Sequence, residues 1–309
     1  MDVTVLICTR DREEALARVL DSVARASVPG DLAWELLIVD NGSSDGTAAL
    51  VRSFAPRLPI RSVREEVPGL SNARNRGVAE ARGRHIVWTD DDVVVDPGWL
   101  AAYWQAFREH PEAAFFGGRI RPVLEGPTPS WLVENLDLME PLLAGRDFGD
   151  EPFTIREGDE RLPFGANFAV RAADQRAHPY DPGLGVSPTM RRSGEETQMF
   201  RAMLAAGRVG RWVPGSEVSH IFPARRQTYA YVVQHYRAYG ETGAYLAARG
   251  GEAAPTPVER GRILYRLVKS RVAMALGDVL ARRRFRLRHT CYYGLHRGVL
   301  DYWRQARTG

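Results

Sequence analysis

The sequence predicts an α/β protein in which a Rossmann-like, mainly parallel sheet is flanked by helices and followed by a helical C-terminal extension. Three observations carry that prediction. Strand and helix signals alternate through the first hundred residues, three of the strand signals end in polar residues, and helical spacing returns from about Gln227 onward. In open α/β sheets ligands bind beyond the carboxyl ends of the strands, so the polar ends predict one shared pocket.

The elements follow in order. Val3 to Cys8 reads as a buried strand, and Asp11 with Glu14 three residues later reads as the N-cap of a helix carrying Leu16, Val19, Leu20 and Val23. Pro29-Gly30 stops that helix. Leu36 to Val39 is the second strand, ending in the polar turn Asp40 to Thr47, which can cap a short helix bearing Leu50, Val51 and Phe54. A short strand near Ile60 to Val63, a helix from about Ser71 to Ala81 closed by Gly83, and a strand His85 to Thr89 come next. Asp96 and Pro97 start a helix with Leu100, Tyr103, Trp104 and Phe107 as its buried stripe, and Ala113 to Gly118 returns as a strand. The Pro- and Gly-rich stretches from Pro122 to Pro163 read as long loops. These signals divide the chain into a first domain, 1–225, with halves near 1–120 and 121–225, and a basic helical extension, 226–309.

Composition narrows the classes. With 309 residues and 44% hydrophobic content the chain can bury a full core. Its longest apolar runs fall far short of the roughly 18 residues that cross a bilayer, and no secretory leader precedes the first strand, so a cytoplasmic protein is expected. Cys8 and Cys291 are too few for a disulfide framework or a cysteine metal site. The net charge of +4 hides an asymmetry. From Arg260 to Gly309 thirteen Lys/Arg face only Asp278 and Asp301, so this segment carries +11 and the remainder −7.

The chemistry centres on Asp90-Asp91-Asp92. Carboxylates just after a buried strand can hold a hard divalent cation against a diphosphate, and strand alternation points Asp90 and Asp92 to one side. Alone, the triplet serves equally well as an acidic turn. It is accompanied by Thr9-Arg10 after the first strand, V-D-N-G-S-x-D-G-T around Asp40, and G-x-S-x-A-R-N-x-G around Arg74. In this order the motifs resemble the inverting family 2 glycosyltransferases, which have the GT-A nucleotide-diphospho-sugar transferase fold. The resemblance runs from Val3 to about His220.

Carried over residue by residue, the resemblance implies that Asp40 reads the base edge and that Thr9 and Arg10 line the nucleoside pocket. Arg74 lies beside base or phosphates, Asp90 and Asp91 belong to the nucleotide-sugar site, and Asp92 binds the metal, Mn²⁺ or Mg²⁺. Gly165-Ala166-Asn167 looks like the family's acceptor-side G-A-N segment. Gly194-Glu195-Glu196 is similar to its G-E-D stretch, which makes Glu196 the base, with Glu195 as the neighbouring candidate. Here Glu replaces the usual Asp, and Gln198 stands where an acid is more usual. His220, after Val218-Ser219, completes the metal or pyrophosphate site. Each residue also has a plainer reading: a turn cap for Asp40, a solvated helix face for Arg74, a tight turn for Gly165-Ala166, an acidic first helical turn for Glu195-Glu196, and a structural histidine for His220.

The expected reaction moves a sugar from a nucleoside-diphosphate donor, UDP favoured, to an acceptor hydroxyl with inversion, in polysaccharide, glycolipid or other glycoconjugate synthesis. Four rivals stand beside it. A sugar nucleotidyltransferase or a dehydrogenase needs a glycine-rich loop after the first strand, and Cys8 to Arg12 contains no glycine. A non-catalytic nucleotide-sugar sensor would keep Asp40 and Arg74, and turnover separates it. Nucleic-acid binding by the basic tail ranks last, since no reading motif accompanies the charge. Within 260–288, Ile263, Leu264, Leu267, Val268, Val272, Leu276, Val279 and Leu280 form an apolar stripe among arginines. That stripe predicts either peripheral docking on an anionic membrane at its cytoplasmic face, useful for a lipid-linked acceptor, or packing on the body or in a homodimer.

Overall fold

A computed structural model describes residues 1–306 and divides into two units. The first comprises Met1–Val123, Ala144–Pro188 and Gly194–Ile221, and the second Leu124–Leu143, Thr189–Ser193 and Phe222–Gly309. Compared with a simple boundary at 225, the second unit also takes two inserts from the middle of the chain.

Among the described residues the nine strands are β1 (Val3–Thr9), β2 (Trp34–Asp40), β3 (Ile60–Arg64), β4 (His85–Thr89), β5 (Val93–Val95), β6 (Phe115–Glu125), β7 (Thr154–Ile155), β8 (Asn167–Arg171) and β9 (Gly210–Pro223). The first unit holds helices α1 (Glu13–Ala24), α2 (Thr47–Ser53), α3 (Leu70–Glu80) and α4 (Trp99–Glu109). The second begins with α5 (Ser130–Val133) and α6 (Leu136–Leu143). Two more helices of the first unit are α7 (Ala172–Ala177) and α8 (Glu195–Ala205), and α9 (Tyr229–Arg249), α10 (Pro257–Val279) and α11 (Arg283–Gln305) complete the second.

The sheet order is β3-β2-β1-β4-β8-β6-β9-β5, with β7 on β9. Its first four strands are parallel. An antiparallel half begins where β8 pairs with β4. Alternate side chains build two cores. Val3, Val5, Ile7, Leu36, Ile38 and Val87 face α1, α2 and α4, whereas Leu6, Leu37, Val39, Ile86 and Trp88 face α3, α7 and α8. The period-2 register therefore fixes a three-layer α/β/α unit.

Two local expectations change. Asp11 is no helix cap: it adopts φ +50°, and its Oδ1 accepts from Ser44 N and Oγ at 2.7 and 3.0 Å, tying the β1 and β2 loops together. The span from Pro122 to Pro163 is not all loop, because Leu132, Met139, Leu142 and Leu143 of α5 and α6 are buried. Their helical spacing is compressed into two short pieces around Asn135, below the length at which periodicity is legible.

Candidate active site

The chain leaves β1 outward to β2 and β3, then returns to β4 on the other side of β1. That reversal opens a crevice beyond the carboxyl ends of β1 and β4. Thr9 and Asp40 are level in the register, and β4, on the other side of β1, ends two residues earlier at Thr89. Since Asn167 pairs with Thr89 and His220 with Val93, the antiparallel half brings the start of β8 and His220 to the Asp90–Asp92 turn.

The three aspartates diverge, because strand geometry ends at Thr89. Asp90 Oδ1 lies 3.7 Å from Arg74 Nη2. Asp91 turns inward, where it accepts from Thr9 Oγ1 at 2.8 Å and from Arg12 Nη1 at 2.5 Å. Asp92 accepts from Arg12 Nη2 at 2.7 Å through Oδ2, while Oδ1 lies 3.5 Å from His220 Nε2. Arg12, which belongs to none of the sequence motifs, thus forks across two carboxylates. Burial pushes Asp91 up to about 7 against the opposing pull of Arg12, and burial likewise raises Asp90. Asp91 and Thr9, expected to touch the nucleotide sugar, are engaged with each other inside the protein.

Arg74 projects from α3, which starts after Gly69 at φ +137°. Gly69 N donates to Asn41 Oδ1 at 2.8 Å, so the end of β2 fixes where the helix begins. The guanidinium is buried over the Trp88 and Tyr180 rings, at 5.8 and 5.4 Å from their centroids. It donates to Glu195 Oε1 at 3.0 Å and lies 3.5 Å from Glu196 Oε2. Both glutamates open α8 after Gly194 at φ +90°, where the helix dipole favours acidic side chains. Burial, then the neighbouring Glu196, push Glu195 up to about 8 despite Arg74. Glu196 Oε2 is buried and has no hydrogen-bond partner among the described residues.

The G-A-N segment divides. A Cβ on Gly165 would sit 3.0 Å from Glu196 Oε1 and 3.1 Å from Arg74 Nη2, so the glycine lies directly against the cluster. Ala166 is buried and its carbonyl accepts from Thr89 Oγ1. Asn167 must be corrected from acceptor ligand to core bracket. It is fully buried, donates to Arg119 O and Ser216 O, and accepts from Trp99 Nε1 and Tyr103 OH, which uses its full hydrogen-bonding capacity.

The two remaining expected residues lie on the β1 and β2 side. Asp40 Oδ1 accepts from Ser43 N at 2.7 Å, and Arg64 Nη1 lies 3.4 Å from Oδ2. Arg10 stands 3.7 Å from Asp11, and its Nη1 is buried with no hydrogen-bond partner among the described residues.

Comparison with known proteins places this geometry. The family model described as Glycosyl transferase family 2 matches residues 4–158. The chain is 27% identical over 255 residues to the succinoglycan biosynthesis protein ExoM of Rhizobium meliloti (strain 1021), covering 80% of this chain and 76% of ExoM. Among solved structures it resembles the mannosyltransferase PcManGT from Pyrobaculum calidifontis, with a TM-score of 0.62 and 19% identity over 97% of this chain and 86% of that one. It also resembles S. aureus TarS 1-349, with a TM-score of 0.57 and 14% identity over 99% and 92%. The parallel β1–β4 half, its switch-point crevice and the acidic turn beyond β4 all fall within the matched span, and the chain belongs to glycosyl transferase family 2, a glycosyltransferase with the GT-A fold.

Proposed function

We propose that this enzyme transfers a sugar from a nucleoside-diphosphate donor, UDP favoured, to an acceptor hydroxyl in one inverting displacement, assisted by Mn²⁺ or Mg²⁺. The observation that carries the reading is the placement of the Glu196 carboxylate beside Arg74, in the crevice that also gathers Asp90, Asp92 and His220. Structural relatives support the donor class: TarS has been solved in complex with UDP and UDP-GlcNAc, and PcManGT in complex with GDP-Man and Mn²⁺.

The residues fit a divalent cation. Five acidic residues, Asp90, Asp91, Asp92, Glu195 and Glu196, gather around the guanidinium groups of Arg12 and Arg74. Among the described residues no group of three His, Cys, Asp or Glu surrounds a common point. Asp92 and His220 would therefore supply two ligands and the diphosphate oxygens others, as suits hard cations that bind with substrate phosphates. Bound there, the cation would offset charge developing on the departing diphosphate.

The protein's own groups do the rest. Glu196 accepts the acceptor proton, and its Oε2 has no existing hydrogen bond to surrender. Arg74 holds both glutamates and orients them. Gly165 lets the backbone lie directly against Glu196 and Arg74, where a side chain would press on both, while Arg10 and Asp40 line the nucleoside side. Incubation with a panel of nucleotide sugars and Mn²⁺ tests the reading through donor hydrolysis or transfer. Asp92→Asn is expected to abolish most metal-supported donor binding and turnover, and full activity in that variant or in excess chelator overturns the metal assignment.

A further inference from the structure

Helix α10 is built the reverse of a packed amphipathic helix. Its buried residues include Leu267, Ser270, Ala273 and Gly277, mostly small, and this face packs on α11. At Gly277 even a Cβ would lie 3.1 Å from the Arg286 backbone. Its large apolar residues point the other way. Val268 is 62% exposed, Val272 55% and Val279 81%, and Leu264, Tyr265 and Leu276 are at least half exposed. At 100° per residue these six fall within about 120° of arc opposite the α11 contact. The stripe expected from sequence is thus split: Leu267 packs inward and Ile263 is half-buried, while the others form an outward band.

Basic residues border that band. Arg262 and Lys269 follow one edge, Arg260 and Arg271 the other, and none of the four forms an ion pair among the described residues, while Arg266 lies further round toward α11. The arginines at the start of α11 differ, since Arg283, Arg284 and Arg286 are held by Glu134, Asp137 and Asp278. Thr256 caps the helix with a reciprocal Glu259 bond and Pro257 opens it, so its start is locally fixed.

We infer that the outward face of α10 lies in the plane of an anionic lipid bilayer surface, with its apolar band among the acyl chains and its bordering cations at the headgroups. Long basic side chains can follow an apolar band and carry their charge out to lipid phosphates. Among the described residues no helix is long and apolar enough to cross a membrane, so the geometry is docking rather than spanning. A second copy is a poorer occupant. A two-fold contact through this face would set each copy's unpaired cations against the other's. Docking is independent of which sugar the catalytic unit transfers.

Flotation of the full chain with phosphatidylcholine vesicles, with and without phosphatidylglycerol, at low and high salt, tests the inference. The chain is expected to float with the anionic vesicles, less so at high salt. Val268→Asp/Val272→Asp, at exposed positions, is expected to weaken binding about a hundredfold with an unchanged melting transition. Lys269→Glu/Arg271→Glu, one substitution at each border of the band, removes the anionic preference and serves as the second readout should the valine variant fail to fold. Absence of flotation, or wild-type binding by both variants, overturns the inference. So does a dimer in sedimentation equilibrium that the valine substitutions dissociate while vesicles bind neither form.

Discussion

Glu195 and Glu196 present two acids at successive helical positions, about 100° apart, and one guanidinium between them. Glu196→Gln is expected to lower turnover by roughly 10²–10⁴ with donor affinity retained, measured by single-turnover kinetics and donor titration. The same loss in Glu195→Gln alone exchanges the roles. Glu195 also links stability to pH. Its folded pKa of about 8 lies above its ordinary value of 4.5, so its contribution is full below pH 4.5 and is lost as pH rises through 8. Glu195→Gln should flatten the fall in melting temperature between pH 5 and 9, and an unchanged slope would remove Glu195 as its source. The motifs made these acids legible because they sit at element ends. They could not reveal Arg12, whose partners lie about eighty residues away, nor the interior placement of Asn167. Asn167→Ala would strand Trp99 Nε1, Tyr103 OH and two carbonyls in the core. A loss of about 3 kcal/mol or more in urea unfolding is expected, and a change in acceptor KM at unaltered stability would return this residue to the acceptor site.

At the scale of elements, β1, β2 and β4 were legible because buried strands are short apolar runs with polar ends, and the limits of these strands and of the half-exposed edge strand β3 differ from the expected ones by a residue or two. The antiparallel half was less so. Its register depends on partners more than 50 residues distant, such as Thr89 with Asn167 and Phe115 with Val170, and no local pattern encodes them. Helix α3 joins both halves of the problem, since its packing sets the position of Arg74. A Cβ on Gly77 would come within 2.5 to 3.1 Å of the Leu6 side chain, itself fully buried. Gly77→Val is therefore expected to cost about 1–3 kcal/mol by overpacking and to displace α3 from β1. Donor affinity should fall with it, and a melting temperature and donor affinity both equal to wild type would show that β1 does not seat the helix.

For the chain as a whole, the boundary most readily drawn from sequence would cut through a core. Leu132, Met139, Leu142 and Leu143 come from the insert Leu124–Leu143, yet their buried partners Phe222, Val232 and Leu287 belong to the C-terminal segment. The polar contacts follow the same division. Trp131 stacks on Tyr229 at 4.3 Å, Arg283 donates to Ser130 and Glu134, and Arg284 pairs with Asp137. The basic charge of the tail is thus partly spent on holding an acidic insert from more than 140 residues earlier, a pairing invisible to charge counting along the sequence. A chain ending at Gln227 loses Val232 and Leu287 and leaves the four apolar residues of α5 and α6 uncovered, each worth about 1.5–3 kcal/mol when fully buried. Limited proteolysis of that chain should cut rapidly within 124–143, whereas the full chain resists there. A chain ending at 259 should behave the same way, because α11 departs with α10, so substitutions on the outward face of α10 are a cleaner probe of docking than deletion of the tail. Equal resistance in the shortened and full chains would mean that α5 and α6 find their cover without α9 and α11.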